Sequence, residues 1–365
     1  MRLKPRAPDF TIFLAVILLL TFGMIMVLSA SSVRAAYATN NPFYFFQRQV
    51  LWALAGIVVM FVVARIDYRR LAPYSKHFLI FSILLSLAVF IPGVGKKVLG
   101  ATRWINLGPA SFQPSELLKL SVIIFLSHKL SQNPHKLEDL KRGLGPYLLL
   151  IGLIAGLLLL QRDLGTAIAI CGAIYLMLYV GGAKPQHMLS LGFAGVLGIL
   201  AAAILEPYRM RRLTGFIDPW ADPLDSGFHT LQSLFALGSG GLFGAGMGQS
   251  KQKYFYLPEQ HTDFIFAILG EELGWVGVVC VILLFFLLIW RGIRTAVSCP
   301  DAFGSLLALG LTVQVGLQAI INMGVVSGLL PVTGITLPFI SYGGSSLVFS
   351  LIGIGLLINV SRFSR

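Results

Sequence analysis

The chain has 365 residues, of which 56% are hydrophobic and only 12% charged, with a mean hydropathy of +0.82. Soluble domains carry about 25% charged residues, so a water-soluble globule is excluded and an integral membrane protein is indicated. The formal charge of +13 would suit a nucleic-acid binder, but the Lys and Arg residues are scattered through short connections between apolar segments. They read as topology signals and lipid-headgroup contacts, and no nucleic-acid partner is expected.

The first apolar run, from Phe10 to about Ser31, is too long for a signal-peptide core and no small-residue cleavage motif clearly follows it, so it reads as a retained first span. Further apolar segments of membrane-crossing length lie near 48–65, 76–92, 115–130, 145–161, 165–181, 187–205, 262–290, 303–323 and 341–361. The reading is an all-α polytopic membrane protein with about ten transmembrane helices, one integral domain over residues 1–365. An even count puts both termini on one side. More than half of the 28 Lys and Arg residues fall on that side, among them Arg65, Arg69, Arg70, Lys129, Lys136, Lys141 and Arg142, which predicts cytoplasmic termini.

One large connection, about 206–261, separates spans seven and eight and carries Arg209, Arg211, Arg212, Lys251 and Lys253. Long segments translocate with less regard to charge, so it is placed outside. Its stretch Leu231 to Gly248 stays apolar and glycine-rich, which predicts an ordered element dipping back to the membrane surface. Irregular backbone there must be buried in protein or line a wet cavity. The four-residue spacings Gly152/Gly156 and Gly270/Gly274 predict close helix packing. Cys171, Cys280 and Cys299 lie far apart and imply neither a disulfide framework nor a zinc site.

The ionisable groups near the expected outer face are Arg103, Glu116, Lys119, Arg162, Asp163, Asp263, Glu271 and Glu272. At mid-helix an acid or base costs roughly 2.5 to 3.5 kcal/mol on insertion scales, so each needs a partner or water and each is a functional candidate. In Gln113-Pro114-Ser115-Glu116-Leu117-Leu118-Lys119 the proline suits the first helical position, Glu116 falls in the first turn, and Lys119 follows on the same face. Two readings stand: a structural ion pair, or a pair facing a polar cavity in which the cation meets a pyrophosphate.

In Pro258 to Ala267, Thr262 is expected to cap a helix beginning at Asp263, which makes Asp263 either a helix-start carboxylate or a catalytic acid at the mouth of a span. Ala267, Gly270 and Gly274 follow at helical spacing and leave room for a ligand or a tight neighbour, with Glu271 two turns deeper. His261 reads as an interfacial hydrogen-bonder, since no second histidine stands at ligand spacing. Arg162 and Asp163 read as a hairpin cap, and Asp218, Asp222 and Asp225 as plain turns rather than a calcium loop. The glycines of 238–244 lack the strand–helix setting of a dinucleotide loop.

Taken in order, these segments resemble the SEDS family (shape, elongation, division, sporulation), the group of RodA and FtsW, across nearly the whole chain. The resemblance rests on Gly100-Ala101-Thr102-Arg103-Trp104, Gln113 to Lys119, Asp163-Leu164-Gly165-Thr166 and Phe216-Ile217-Asp218-Pro219-Trp220. It continues through the glycine-rich segment, Pro258 to Phe264, Gly270-Glu271-Glu272-Leu273-Gly274 and Pro338-Phe339-Ile340-Ser341-Tyr342-Gly343-Gly344-Ser345-Ser346. Two positions depart from the family pattern: Arg162 stands where proline is usual, and Gly227-Phe228-His229 replaces Gly-Tyr-Gln. The wording from Lys251 to Leu257 is more similar to the division and sporulation branch than to the elongation branch.

The resemblance implies polymerisation of lipid II into glycan strands at the outer face of a bacterial plasma membrane, with Asp263 at the position of the family's catalytic carboxylate. It implies substrate-binding roles for Arg103, Glu116, Lys119, His261 and Ser341, a class B penicillin-binding protein as partner among other divisome or elongation-complex membrane proteins, and a divalent cation (Mg or Mn) as a possible aid for which no ligand set is visible. A lipid II transporter and a scaffold recruiting a transpeptidase are the rival roles. Charges clustered at one face favour surface chemistry over a transmembrane path.

Overall fold

The computed structural model describes residues 6–364 apart from 99, 109, 133–136 and 138; Lys136, one of the residues that orient the chain, lies outside the described residues. Each expected span coincides with a helix: α1 (Phe10–Thr39), α2 (Tyr44–Arg65), α3 (Ser75–Ala88), α4 (Pro114–Gln132), α5 (Gly145–Leu160), α6 (Leu164–Val180), α7 (Pro185–Ile204), α10 (Ile265–Ser298), α11 (Ala302–Val326) and α12 (Gly344–Ser361). Two more helices, α8 (Pro207–Ile217) and α9 (Phe228–Ser239), lie in the long connection. Seven segments are long and apolar enough to cross a membrane: α1, α2, α3 with its preceding turn from Tyr68, α7, α10, α11 and α12. The helices α5 and α6 are apolar but shorter, with 16 and 17 residues, and α4 carries Glu116, Lys119 and Lys129.

Helices α11 and α12 form the buried centre, and α1, α2, α4, α6 and α10 pack around them in one continuous apolar core. The rim helix α7 buries only Met188, Ala202 and Ala203. Both termini lie on one face. The Arg6 amide donates to the Arg362 carbonyl at 2.7 Å, the Asp9 amide to the Ser361 hydroxyl at 3.0 Å, and Arg291 pairs with the Asp9 carboxylate at 2.5 Å. The opposite face carries the 206–264 connection, the loop 327–343 and a small antiparallel sheet that the sequence reading did not anticipate. That sheet comprises β1 (Gly95–Val98), β2 (Ala101–Leu107) and β3 (Ala110–Phe112) in the order β1-β2-β3. It sets Arg103 above the α5–α6 turn.

The decisive departure from a simple bundle is in α10. At Gly274 the backbone takes φ 65° and ψ −164°, a combination open essentially to glycine alone, and the helix breaks. Within a membrane the freed backbone groups need partners, and the glycine-rich loop after α9 supplies them. The Trp275 and Val276 amides donate to the carbonyls of Gly241 (2.9 Å) and Leu242 (3.1 Å), while the Ala245 and Gly246 amides donate to those of Glu271 (2.9 Å) and Glu272 (3.1 Å). The loop thus reaches a residue nine positions inside α10, a depth of roughly 14 Å at 1.5 Å per residue, so the expected dipping element is present.

The glycine expectations divide. Gly270 and Gly274 do mark tight contacts, but with Leu237 and with loop backbone rather than with a neighbouring helix backbone. Gly152 and Gly156 do not pack closely, since a Cβ at either would meet nothing within 4 Å; they lie in an outer helix with no partner on that side. We predict that Gly274→Ala, whose Cβ would run into the backbone of Gly244 and Leu242, loses about 1–3 kcal/mol to strain and melts lower in detergent, whereas Gly152→Ala melts at or above the wild-type temperature.

Candidate functional site

Asp263 sits at the start of the broken half-helix Ile265–Leu273. The helix begins two residues later than the spacing suggested, because Thr262 does not cap it. Its hydroxyl instead bonds back to the Glu259 carboxylate at 2.8 Å and to the Glu259 carbonyl at 3.2 Å, and the N-terminal residue Phe264 has no side-chain cap bond. Asp263 is fixed through its backbone. The Asn322 side-chain amide of α11 donates one hydrogen to the Asp263 carbonyl and one to the Ile335 carbonyl, both at 2.7 Å.

The segment preceding Asp263 is held from below. Glu271 accepts from the Ser250 hydroxyl (2.5 Å) and the Lys251 amide (2.8 Å), and Glu272 accepts from Ser29 (2.6 Å) and pairs with buried Lys253 at 3.3 Å. Both glutamates are therefore structural ties for the loop, and neither shares the face of Asp263 as a second open acid.

Among the described residues no hydrogen-bond donor or ion-pair partner reaches the Asp263 carboxylate, which is half-buried. Burial pushes its pKa from 3.8 up to about 6; Glu259 raises it further, Arg212 and Arg103 pull it down, and Asp163 raises it. Arg103 pairs with Asp163 at 3.6 Å and donates to the Arg162 carbonyl. Asp163 also caps α6 by accepting from the Thr166 amide at 3.3 Å, so the hairpin cap and the site share one carboxylate. The sequence alone marks Arg212, on α8, only as a topology signal. Its guanidinium donates to the Val332 carbonyl at 3.0 Å and lies 4.5 Å from the Tyr208 ring centre.

Lys119 and Glu116 do form the expected pair, at 2.6 Å with both side chains buried, and Lys119 also donates to Gln318 Oε1 at 3.1 Å. They face a polar cavity of about 30 Å³ lined also by Gln113, Thr166, Thr336 and Gly334, room for a water. Gly334 joins this cavity to Asp263: a Cβ added there would lie 3.4 Å from Asp263 Oδ2. The pair is thus both a buried ion contact and part of a polar cavity wall.

His261 is buried against Phe45 and Tyr342, with ring centroids 4.8 and 5.7 Å away, and burial lowers its pKa to about 4, so the ring is neutral. The Ser341 hydroxyl donates to the Thr262 carbonyl (2.6 Å) and accepts from the Leu337 amide (2.8 Å); it ties the 327–343 loop to the Asp263 segment. Asp218 accepts from the amides of Trp220 and Ala221, as a plain turn does. His229 stacks on Phe264 with centroids 5.6 Å apart, its pKa lowered by burial and then by Arg212. Among the described residues no group of three His, Cys, Asp or Glu side chains is placed to hold a cation, and no step is assigned to one.

A family model of FtsW/RodA/SpoVE cell cycle proteins matches residues 10–365. The chain belongs to this family. It is 46% identical over 365 residues to stage V sporulation protein E of Bacillus subtilis (strain 168), covering all of both chains. It is 45% identical over 357 residues to a protein of Geobacter sp. (strain M18) named "Probable peptidoglycan glycosyltransferase FtsW", covering 98% of this chain and 97% of that one. Among solved structures it resembles a chain from work on structural coordination of polymerization and crosslinking by a peptidoglycan synthase complex, with TM-score 0.80, 33% identity and 98% of each chain covered. It also resembles the rod shape determining protein RodA of Thermus thermophilus, with TM-score 0.72, 31% identity, and 98% and 97% covered.

Because the folded pKa of Asp263 lies above its ordinary value, the folded state binds more protons than the unfolded state between pH 3.8 and about 6, so stability falls as pH rises through that window and the loss is complete above it. Asp263→Asn removes the ionisation and gains up to about 3 kcal/mol at pH 7.5 but nothing at pH 3.5; equal melting temperatures at both would refute the raised pKa. Lys119→Met alone strands a buried carboxylate and loses about 3–5 kcal/mol, while Lys119→Met with Glu116→Gln recovers most of that loss in the same melting assay.

Proposed function

We propose that the protein is a peptidoglycan glycosyltransferase that polymerises lipid II at the outer face of the bacterial plasma membrane, with Asp263 as general base. The observation that carries this reading is a half-buried carboxylate that no hydrogen-bond donor reaches among the described residues, raised to a pKa of about 6 and flanked by the cations Arg103 and Arg212. The names of the similar Geobacter protein and of the synthase complex support it. Extending a β-1,4-linked strand from an α-linked pyrophosphate donor inverts the anomeric carbon. The acceptor 4-hydroxyl gives its proton to Asp263 as its oxygen bonds to C1, and the C1–O bond to phosphate breaks with its electron pair leaving on the pyrophosphate. A base with a pKa near the working pH is well matched to this task, and so good a leaving group needs no separate acid.

Arg103 and Lys119 supply positive potential along the cavity, Glu116 holds Lys119, and His261 and Ser341 position the two loops that meet the substrate. The termini are cytoplasmic, and a class B penicillin-binding protein is the partner. Among the described residues, the buried Asp, Glu, Lys and His side chains all lie toward the loop face (Glu116, Lys119, Asp163, Lys253, His261, Glu271 and Glu272), which favours chemistry at that surface over a carrier's path through the bilayer.

The test is purified protein with lipid II in detergent, with and without the partner. Glycan strands are expected from the wild type, with an acid limb in the rate near pH 6, and a loss of about 10²-fold or more for Asp263→Asn. Strands at the wild-type rate from Asp263→Asn would end the assignment.

A further inference from the structure

The cations around Asp263 are balanced unequally. Arg103 has Asp163 and Lys119 has Glu116 as counter-ion. No carboxylate stands within ion-pair distance of Arg212 among the described residues; it donates to the Val332 carbonyl and lies against the Tyr208 side chain, with which it also hydrogen-bonds. The three arginines of α8 have different fates. Arg209 donates to the carbonyls of Ala202 and Leu159 at 3.0 Å, closing the ends of α7 and α5, and Arg211 makes an exposed pair with Asp225 at 3.8 Å. Arg212 alone turns toward the site, where Asp263 and Arg103 both sense its charge. A guanidinium carries five N–H donors in a planar fork, and the Val332 carbonyl occupies one of its nitrogens. The remainder suits a phosphate oxygen pair, the ligand that guanidinium binds in bidentate fashion.

We propose that Arg212 forms a diphosphate-binding site beside Asp263 that takes the pyrophosphate of the lipid-linked donor. This rests on the glycosyltransferase reading for the identity of the diphosphate. As the C1–O bond breaks, the negative charge gained by the pyrophosphate meets Arg212, which among the described residues has no carboxylate at ion-pair distance. The same placement leaves Asp263, rather than a leaving-group oxygen, as the acceptor of the incoming hydroxyl proton. Arg103 and Lys119 then shape the field, and Arg212 makes the contact.

The experiment measures binding of a short polyprenyl diphosphate, the matching monophosphate and the free polyprenol to the full-length protein in detergent, without lipid II. The wild type is expected to prefer the diphosphate to the polyprenol. Arg212→Gln should weaken the diphosphate by about tenfold or more with the polyprenol unchanged. Arg212→Lys, which keeps the charge without the fork and guards against a misfolded glutamine variant, should keep a preference for charged ligands but lose that for diphosphate over monophosphate. Diphosphate binding by either variant equal to the wild type, or an equal loss for all three ligands, overturns the proposal. Strand synthesis from lipid II is scored separately: a binding difference in a wild type that makes no strands sinks the glycosyltransferase reading and leaves the anion site, whereas wild-type synthesis by Arg212→Gln sinks the anion site alone.

Discussion

Backbone polar groups inside a bilayer must find protein partners, and in this chain that constraint is concentrated at Gly274. The break there leaves carbonyls of Glu271 and Glu272 and amides of Trp275 and Val276 without helical partners, and the 240–246 loop meets them with groups of opposite kind. Neither piece is satisfied alone: the helix would carry orphan groups into lipid, and the loop would be irregular backbone at membrane depth. Their union turns a linear span and an extramembrane connection into one rigid unit. The Glu271 and Glu272 carboxylates then fasten the chain's return through Ser250 and Lys253, so that the segment leading to Asp263 is fixed at both ends.

A second irregular strand of chain, 331–343, closes the site from the other side. It is held by amide and hydroxyl groups rather than by helix packing: Gln318 donates to the Thr336 carbonyl at 3.0 Å, Asn322 to Ile335, and Ser341 to Thr262. Gln318 and Asn322 stand four residues apart on α11, so one face of the central helix serves as a ruler for both loops. Lys119 bonds to that same Gln318, which couples the ion pair of α4 to the position of Gly334 and hence to the surroundings of Asp263. The rigidity is of the kind a catalytic carboxylate needs, since productive geometry has to be met to within about half an ångström.

What could be read from the sequence is what its physics repeats many times over. Long apolar runs announce every helix of the bundle, and the cost of charge in lipid singles out a short group of candidates that includes Glu116, Lys119, Arg103 and Asp263. What could not be read depends on single residues in special conformations. Gly274 looks like packing glycine within a helical stripe, because a positive φ leaves no periodic trace. The sheet strands, of four, seven and three residues, are too short to show alternation. Arg212 is one of three arginines in four residues, and only the rotation of α8 separates it from a surface cation and a helix-end clasp. Arg162 adopts φ 60°, which proline, fixed near −65°, cannot take, and its carbonyl accepts from Arg103.

The electrostatics of the site follow from where it is placed. A carboxylate in open water would stay near its ordinary pKa and be a weak base, while one buried without compensation would stay protonated and be none at all. Asp263 lies between these limits: desolvation and Glu259 push it up, Arg212 and Arg103 hold it down, and the balance falls at about 6. That balance shifts when an anion arrives. At the proposed site a diphosphate beside Arg212 would screen the cation from Asp263 and add negative charge of its own, raising the carboxylate's proton affinity while donor is bound.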